Sequence, residues 1–281
     1  MRINRKDQKR RTSMKKLVGT ITVAGAVLVL AACGNDETSG GETNSTTNDG
    51  NTEIVTYDIA TDNNFVPFEF IDLETNELTG FDIELMEAIA EESGFEVNFH
   101  QMDFSGALSG IEQGSYDAAI NGMSITEERK QNIDFSDPYY ESGLVLAVAQ
   151  DDDTIQSIDD LTSDHKVSTR LSSTSQTYLD EQTDAEVDAY PEITEAYQAL
   201  IAGHVDAALY DMPNVQYFIQ QQGEGSMKIV GDLLTGEDYG IAFPKGSDLV
   251  DDVNEALATL MENGTYGDIY ETYFGERPEG M

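Results

Sequence analysis

From Ile54 onward, short apolar runs alternate with amphipathic segments along the chain, the pattern of an α/β protein. Ile54 to Ala60 reads as a buried strand. Phe81 to Ser93 reads as a helix, with Ile83, Met86, Ile89 and Ala90 on one face and Gly94 as its stop. Phe95, Val97 and Phe99 alternate as the next strand, and Ser105 to Gln113 predicts a short helix with Phe104 at its entry. Leu144 to Ala149 and Ala207 to Tyr210 are further strands. Ile193 to Ala202 and Pro213 to Gln222 read as helices, the second opened by a proline in its first turn. A helical tail follows from Asp248 and is interrupted at Asn263-Gly264. The chain shows no repeat with a period of about 20 to 50 residues.

The most informative stretch is Asn121 to Tyr140, NGMSITEERKQNIDFSDPYY. After an apolar strand over Asp117 to Ile120, Asn121-Gly122-Met123-Ser124 makes a small polar turn whose backbone can approach a ligand closely. Ile125 to Arg129 then reads as a helix start, with Thr126 as cap and acids in the first turn. Arg129 follows that cap by three residues. Its planar guanidinium can hold a carboxylate by two parallel hydrogen bonds, which lysine cannot do. An arginine in such a position can equally be solvated or paired with a nearby acid.

The first 32 residues belong to no folded domain. Basic residues from Arg2 through Lys16 precede an apolar run, Ile21 to Ala32, too short to span a bilayer. Met14 would make a more typical start for such a leader. Leu30-Ala31-Ala32-Cys33 closes it, and from Gly34 to Asn51 the chain holds no apolar residue, as in a flexible tether. Cys33 is the sole cysteine, which excludes intramolecular disulfides and cysteine-rich metal sites. The leader holds eight of the 15 Lys/Arg and one of the 54 acids. The remainder therefore carries seven bases against 53 acids, a formal charge of −46. That excludes a basic nucleic-acid surface and adhesion of the domain itself to anionic lipid.

Four further blocks extend the reading, making five with Asn121 to Tyr140. They are Ala60-Thr61-Asp62 followed by Phe65-Val66-Pro67-Phe68-Glu69-Phe70, Met102 to Gly106, Val205 to Asp211, and Tyr239 to Gly246, with Leu30 to Cys33 resembling a bacterial lipobox. In this order and spacing, over roughly residues 53 to 277, the chain resembles the bacterial extracellular solute-binding proteins, family 3, that serve polar-amino-acid ABC importers. It looks most like the glutamine-binding members. The resemblance implies a type II periplasmic-binding-protein fold: two α/β lobes, about 52–138 plus 240–281 and 144–234. Two extended crossings near Tyr139 to Gly143 and Thr235 to Tyr239 would join them, with the ligand cleft between.

It also implies the site. Arg129 would take the ligand carboxylate with N–H groups at Ser124 and Thr174. Asp211 would take the ammonium with the Gly122 carbonyl and the Ser124 hydroxyl. Taken alone, Asp211 could as well be a helix cap before Pro213. Phe65 and Phe104 match family aromatics that sandwich the ligand's aliphatic part, although as residues they read equally as core. Arg170 aligns with a lysine that reads the side-chain amide in glutamine-binding relatives, Asp62 with an acid accepting from the same amide, and Tyr210 with a histidine. Ser172 and Ser173 depart from the family's usual glycine-threonine loop before Thr174, and with Arg170 and Tyr210 in place of the lysine and histidine, glutamine is less firmly implied than a polar amino acid. The implied partners are the amino acid, the ABC permease and, through a lipidated Cys33, the outer face of the cell membrane, with the protein a monomer.

His100, His165 and His204 are scattered, and the chain shows no metal spacing, phosphate loop or nucleophile elbow. No cofactor is expected. Asp134 and Asp137 read as a structural turn before the crossing. A dehydratase of the cyclohexadienyl type on the same fold would need an acid or base aimed into the cleft. A receptor's sensor lobe would continue into a membrane helix, which is not expected after Met281. The dispersed acids read as a solvated surface suited to high external salt, where screening relieves self-repulsion. The thermal unfolding midpoint is therefore expected to rise between about 10 mM and 1 M NaCl; a flat or falling midpoint would refute the salt reading.

Overall fold

A computed structural model describes residues 54–221 and 225–278. The leader, Cys33 and the tether lie outside the described residues. Two five-stranded sheets form the frame. The first runs Glu96–Gln101, Thr56–Thr61, Ala118–Ala119, Ala242–Pro244, Ile133–Phe135, with the first three strands parallel and the Ala242–Pro244 strand antiparallel to both neighbours. The second runs Glu186–Tyr190, Lys166–Arg170, Ala207–Asp211, Leu144–Ala149, Met227–Val230, again with three parallel strands and two antiparallel pairings. Each first-sheet strand lies outside the stretch 144–230 that supplies the second, so the chain leaves the first lobe once and returns once.

The two passages pair with each other. Tyr140–Ser142 and Glu237–Tyr239 form an antiparallel two-stranded ribbon. Gly143 sits where they touch: a Cβ there would lie 2.0 Å from the Thr235 carbonyl oxygen, so no larger residue fits without moving the ribbon.

The predicted helix Phe81–Ser93 forms over that span and ends at Gly94 in the left-handed conformation, φ 78°. Besides the four predicted positions it buries Phe81, Asp82 and Leu85. The predicted Ser105–Gln113 helix begins one residue earlier, because Asp103 accepts the Gly106 N–H and caps Phe104–Glu112. Ile193–Ile201, Met212–Gln221, Leu249–Asn263 and Thr265–Phe274 also form, the last two divided by Gly264 at φ 88°. One expectation fails. Thr126 does accept the Arg129 N–H at 3.1 Å, but only a 3-10 turn, Arg129–Gln131, follows. The chain must re-enter the first sheet at Ile133–Phe135, which leaves no room for an α-helix.

Helix Phe81–Ser93 packs against both C-terminal helices. Phe81 is the centre of that contact, with ring centroids 5.4 Å from Phe274, 5.7 Å from Tyr266, 5.8 Å from Tyr270 and 6.2 Å from Tyr139 and Tyr140. The last two begin the outgoing crossing, so the cluster ties the ribbon to the first lobe. Truncation of a wholly buried phenylalanine costs about 3–5 kcal/mol. Phe81→Ala should destabilise by that amount in urea unfolding; a loss below about 1 kcal/mol would show the cluster is not a packing centre.

Candidate functional site

In both sheets the parallel strands end at the interface between the lobes, the place where open α/β sheets bind ligands. Asp62 follows Thr56–Thr61, Asn121-Gly122 follows Ala118–Ala119, and Arg170 and Asp211 end Lys166–Arg170 and Ala207–Asp211. All five are buried. Two lobes thus bring opposite charges to one place.

Arg170 and Asp62 form an ion pair across the lobes, each about 1% exposed. Asp62 also accepts the backbone N–H groups of Asn63 and Asn64 through Oδ1, at 2.5 and 3.0 Å. Arg170 donates further to the Tyr210 hydroxyl at 3.3 Å and the Pro191 carbonyl at 3.4 Å. The two residues matched to the reading of a side-chain amide therefore saturate one another.

Arg129 reaches across the same gap. It donates to the Ser124 carbonyl at 2.8 Å on its own side and to the Ser172 carbonyl at 3.2 Å on the other. Ser172 takes φ 62°, a left-handed conformation usual for glycine, which turns its carbonyl to this contact at some backbone cost. Both guanidiniums lie on Phe104, with Cζ 5.2 Å (Arg129) and 5.1 Å (Arg170) from its centroid. Phe65 is set differently: it stacks on Phe68 at 5.0 Å and meets the Tyr210 ring edge-on at 5.9 Å.

Asp211 accepts a short hydrogen bond from the Tyr239 hydroxyl. Burial, reinforced by the charge of Glu237, pushes its pKa up to about 7. Pro213 has no N–H to offer a cap, and among the described residues the hydrogen bond to the Asp211 carboxyl comes from Tyr239. Burial also lowers the Arg129 pKa, while Glu237 and then Asp211 oppose that shift.

Glu237 and Tyr239, both from the return crossing, were not expected in the site from sequence, although Tyr239 opens one of the family blocks. The Glu237 carboxylate takes hydroxyls from both lobes on one oxygen, from Ser124 at 2.5 Å and from Thr174 at 2.8 Å, and from Thr235 on the other at 3.1 Å. The Ser124 hydroxyl thus donates its proton to an acid, and its lone pairs remain able to accept. Thr174 opens helix Thr174–Gln182, capped by Ser173, whose hydroxyl lies 3.2 Å from the Gln176 N–H and donates to the Arg170 carbonyl at 2.6 Å. A cavity of about 630 Å³ opens alongside, lined by Arg129, Ser172, Thr174 and Glu237 among others.

Behind the site, Asp82 fixes the glycine turn. Its carboxylate accepts the Gly122 N–H and the Tyr139 hydroxyl, each at 2.8 Å. Gly122 takes φ 57°, and a Cβ there would lie 2.2 Å from the Phe65 ring. The side chain of Asn121 is buried with neither amide atom hydrogen-bonded. Away from the site, Asp134 is structural, paired with Lys245 at 2.6 Å. His100 contacts Asp58 at 2.7 Å at the surface. Among the described residues no cluster of His, Cys, Asp and Glu could hold a metal ion.

Two lobes joined by a paired double crossing, with ionisable groups from both converging at the strand ends, define a two-lobe ligand-binding protein of the type II periplasmic class. The chain belongs to the bacterial extracellular solute-binding proteins, family 3, whose sequence model matches residues 57–276. It is 30% identical to the ABC transporter glutamine-binding protein GlnH of Bacillus subtilis, over 94% of this chain and 99% of that one. It is 28% identical to a probable histidine-binding protein of Campylobacter jejuni, over 92% and 99%. Among solved structures, an ancestral arginine-binding protein bound to glutamine superimposes with a TM-score of 0.74 at 40% identity, covering 79% of this chain and 98% of that one. The family is one of extracellular solute-binding proteins, and these relatives bind amino acids.

Burial raises Asp82 from 3.8 to about 7 in the fold. From pH 4 to pH 7 the fold therefore keeps a proton that the unfolded chain has released, and this group's stabilisation, complete below pH 4, is lost as the pH rises to 7. Asp82→Asn should flatten the decline in unfolding free energy over that window by up to about 1.4 kcal/mol per pH unit. An unchanged slope would exclude Asp82 as its source.

Proposed function

We propose that the protein captures a polar amino acid, glutamine being favoured, by closure of two lobes and delivers it to an ABC permease. The lobes in this reading are 52–138 with 240–281, and 144–234. Arg129, with Ser124 and Thr174, would take the α-carboxylate. Asp211, with the Gly122 carbonyl, would take the ammonium, and Phe65 and Phe104 the aliphatic stem. The single observation that carries the reading is the meeting of Ser124 and Thr174 from two lobes on one carboxylate oxygen, that of Glu237, with the Arg129 guanidinium in the field of the same carboxylate. A carboxylate fits there sterically and electrostatically, with Asp211 close enough to act on the same guanidinium. GlnH and the glutamine-bound ancestral protein support the choice of glutamine. Against it stands the mutual saturation of Arg170 and Asp62, which an amide side chain would have to open.

Anchoring follows the same logic. Lipidation of Cys33 would hold a monomer at the outer face of the membrane, two acyl chains sufficing where one gives marginal binding. A non-enzymatic role fits this site, because its acids and bases are arranged to hold opposite charges rather than to exchange a proton with a reacting atom.

Titration calorimetry against the twenty amino acids should give heat with glutamine or another polar amino acid, and Arg129→Ala should abolish it while Asp248→Asn leaves it unchanged. Heat from none of the twenty would refute the reading. Because Asp211 must be ionised to hold an ammonium, affinity should fall as the pH drops below about 7, approaching tenfold per unit. Affinity independent of pH between 5 and 7 would remove Asp211 from that role.

A further inference from the structure

Glu237 stands on neither lobe's strand ends but on the return crossing, and its position has consequences for any ligand that brings a carboxylate. Each hydroxyl has one proton to donate. Ser124 gives its proton to Glu237 at 2.5 Å and Thr174 gives its own at 2.8 Å, to the same oxygen. Of the acids acting on Arg129, Glu237 acts most strongly. Thr174 is also the first residue of helix Thr174–Gln182, whose N-terminal end favours negative charge. Glu237 therefore occupies the hydroxyls beside the Ser124 and Thr174 N–H groups and acts on the Arg129 that an incoming α-carboxylate would need, and two carboxylates cannot sit there together.

We propose that Glu237 is a built-in occupant of the carboxylate subsite, so that an amino acid binds by displacing it and Glu237 sets the affinity. The proposal rests on the amino-acid reading of the cleft. Displacement has a path. Glu237 also lines the cavity of about 630 Å³ beside Arg129, and its other oxygen is already held by Thr235 on the crossing itself at 3.1 Å. The same carboxylate bridges Ser124 of the first lobe to Thr174 of the second, so it also draws the lobes together. Affinity in such a site is lowered by the fraction of molecules in which the subsite is taken.

The experiment compares wild type with Glu237→Ala and with the isosteric Glu237→Gln, each checked by thermal unfolding. Calorimetry with L-glutamine, L-arginine, L-histidine and L-cystine reads the competition. A cross-cleft distance from paired spin labels, measured without amino acid, reads the bridge. For every amino acid the wild type binds, Glu237→Ala should bind about tenfold or more tightly and Glu237→Gln a few-fold more tightly. Equal or weaker binding in both variants would overturn the proposal, since Glu237 would then be a ligand partner or a bystander. Should the alanine variant not fold, the glutamine variant alone decides. If none of the four binds any form, the amino-acid reading itself is at fault for these ligands. The bridge is then judged by distance: lengthening in the variants upholds it, and no change overturns it.

Discussion

Charges cannot be taken out of water singly, and this constraint organises the interface between the lobes. An unpaired buried ion costs several kcal/mol, so a cleft that closes over arginines must close over acids as well. Arg170 meets Asp62, and Arg129 lies in the field of Glu237 and Asp211. In each case cation and acid arrive from different segments of the fold. Neither lobe alone presents a neutral surface, and only their approach compensates both. Phe104 extends the same economy by offering one ring to two guanidiniums.

That arrangement needs a frame that does not yield. The parallel strands of each sheet deliver the charged residues at their ends, and the paired crossings limit how the sheets can move relative to one another. Asp82 joins two functions in one carboxylate, since it holds the Gly122 turn in the site and the Tyr139 hydroxyl at the start of the crossing. Tyr139 in turn belongs to the Phe81 cluster and accepts the Tyr266 hydroxyl on its carbonyl at 2.5 Å. A continuous set of packed and hydrogen-bonded groups thus runs from the C-terminal helices to the binding turn.

How much of this was legible in the sequence differed by element. Phe81–Ser93 was plain because one face is apolar at helical spacing and a glycine ends it. Helix Thr174–Gln182, TSQTYLDEQ, gave no such signal, as it buries only Ser175 and Leu179. The edge strand Glu186–Tyr190 buries no residue fully, whereas Lys166–Arg170 is polar although four of its five residues are buried, so neither reads as an apolar run. Arg129 and Asp211 could be named because they stand in recognisable blocks. Glu237 could not, since among 54 acids nothing local distinguishes it; only the return of the chain beside Tyr140–Ser142 brings it to Ser124 and Thr174.

Closure draws on more than the charged centre. Asn64 donates to Glu192 at 2.7 Å, Asn214 donates to the Val66 carbonyl at 2.7 Å, and Ser105 donates to Ser172 at 3.2 Å, each across the lobes. Each would be lost if the lobes parted, so on the proposed reading all of them would favour closure. They are protein–protein contacts, so they favour closure without distinguishing one amino acid from another. Discrimination has to come from the groups around the ligand itself, and there the competition is between fixed and movable charges. Arg170 and Asp62 are held by three or more partners apiece and resist rearrangement. On the proposed reading, a side chain on a crossing, held by hydroxyls alone, is the group best able to give way, so adjustability would lie at the carboxylate end of the cleft and selectivity at the other.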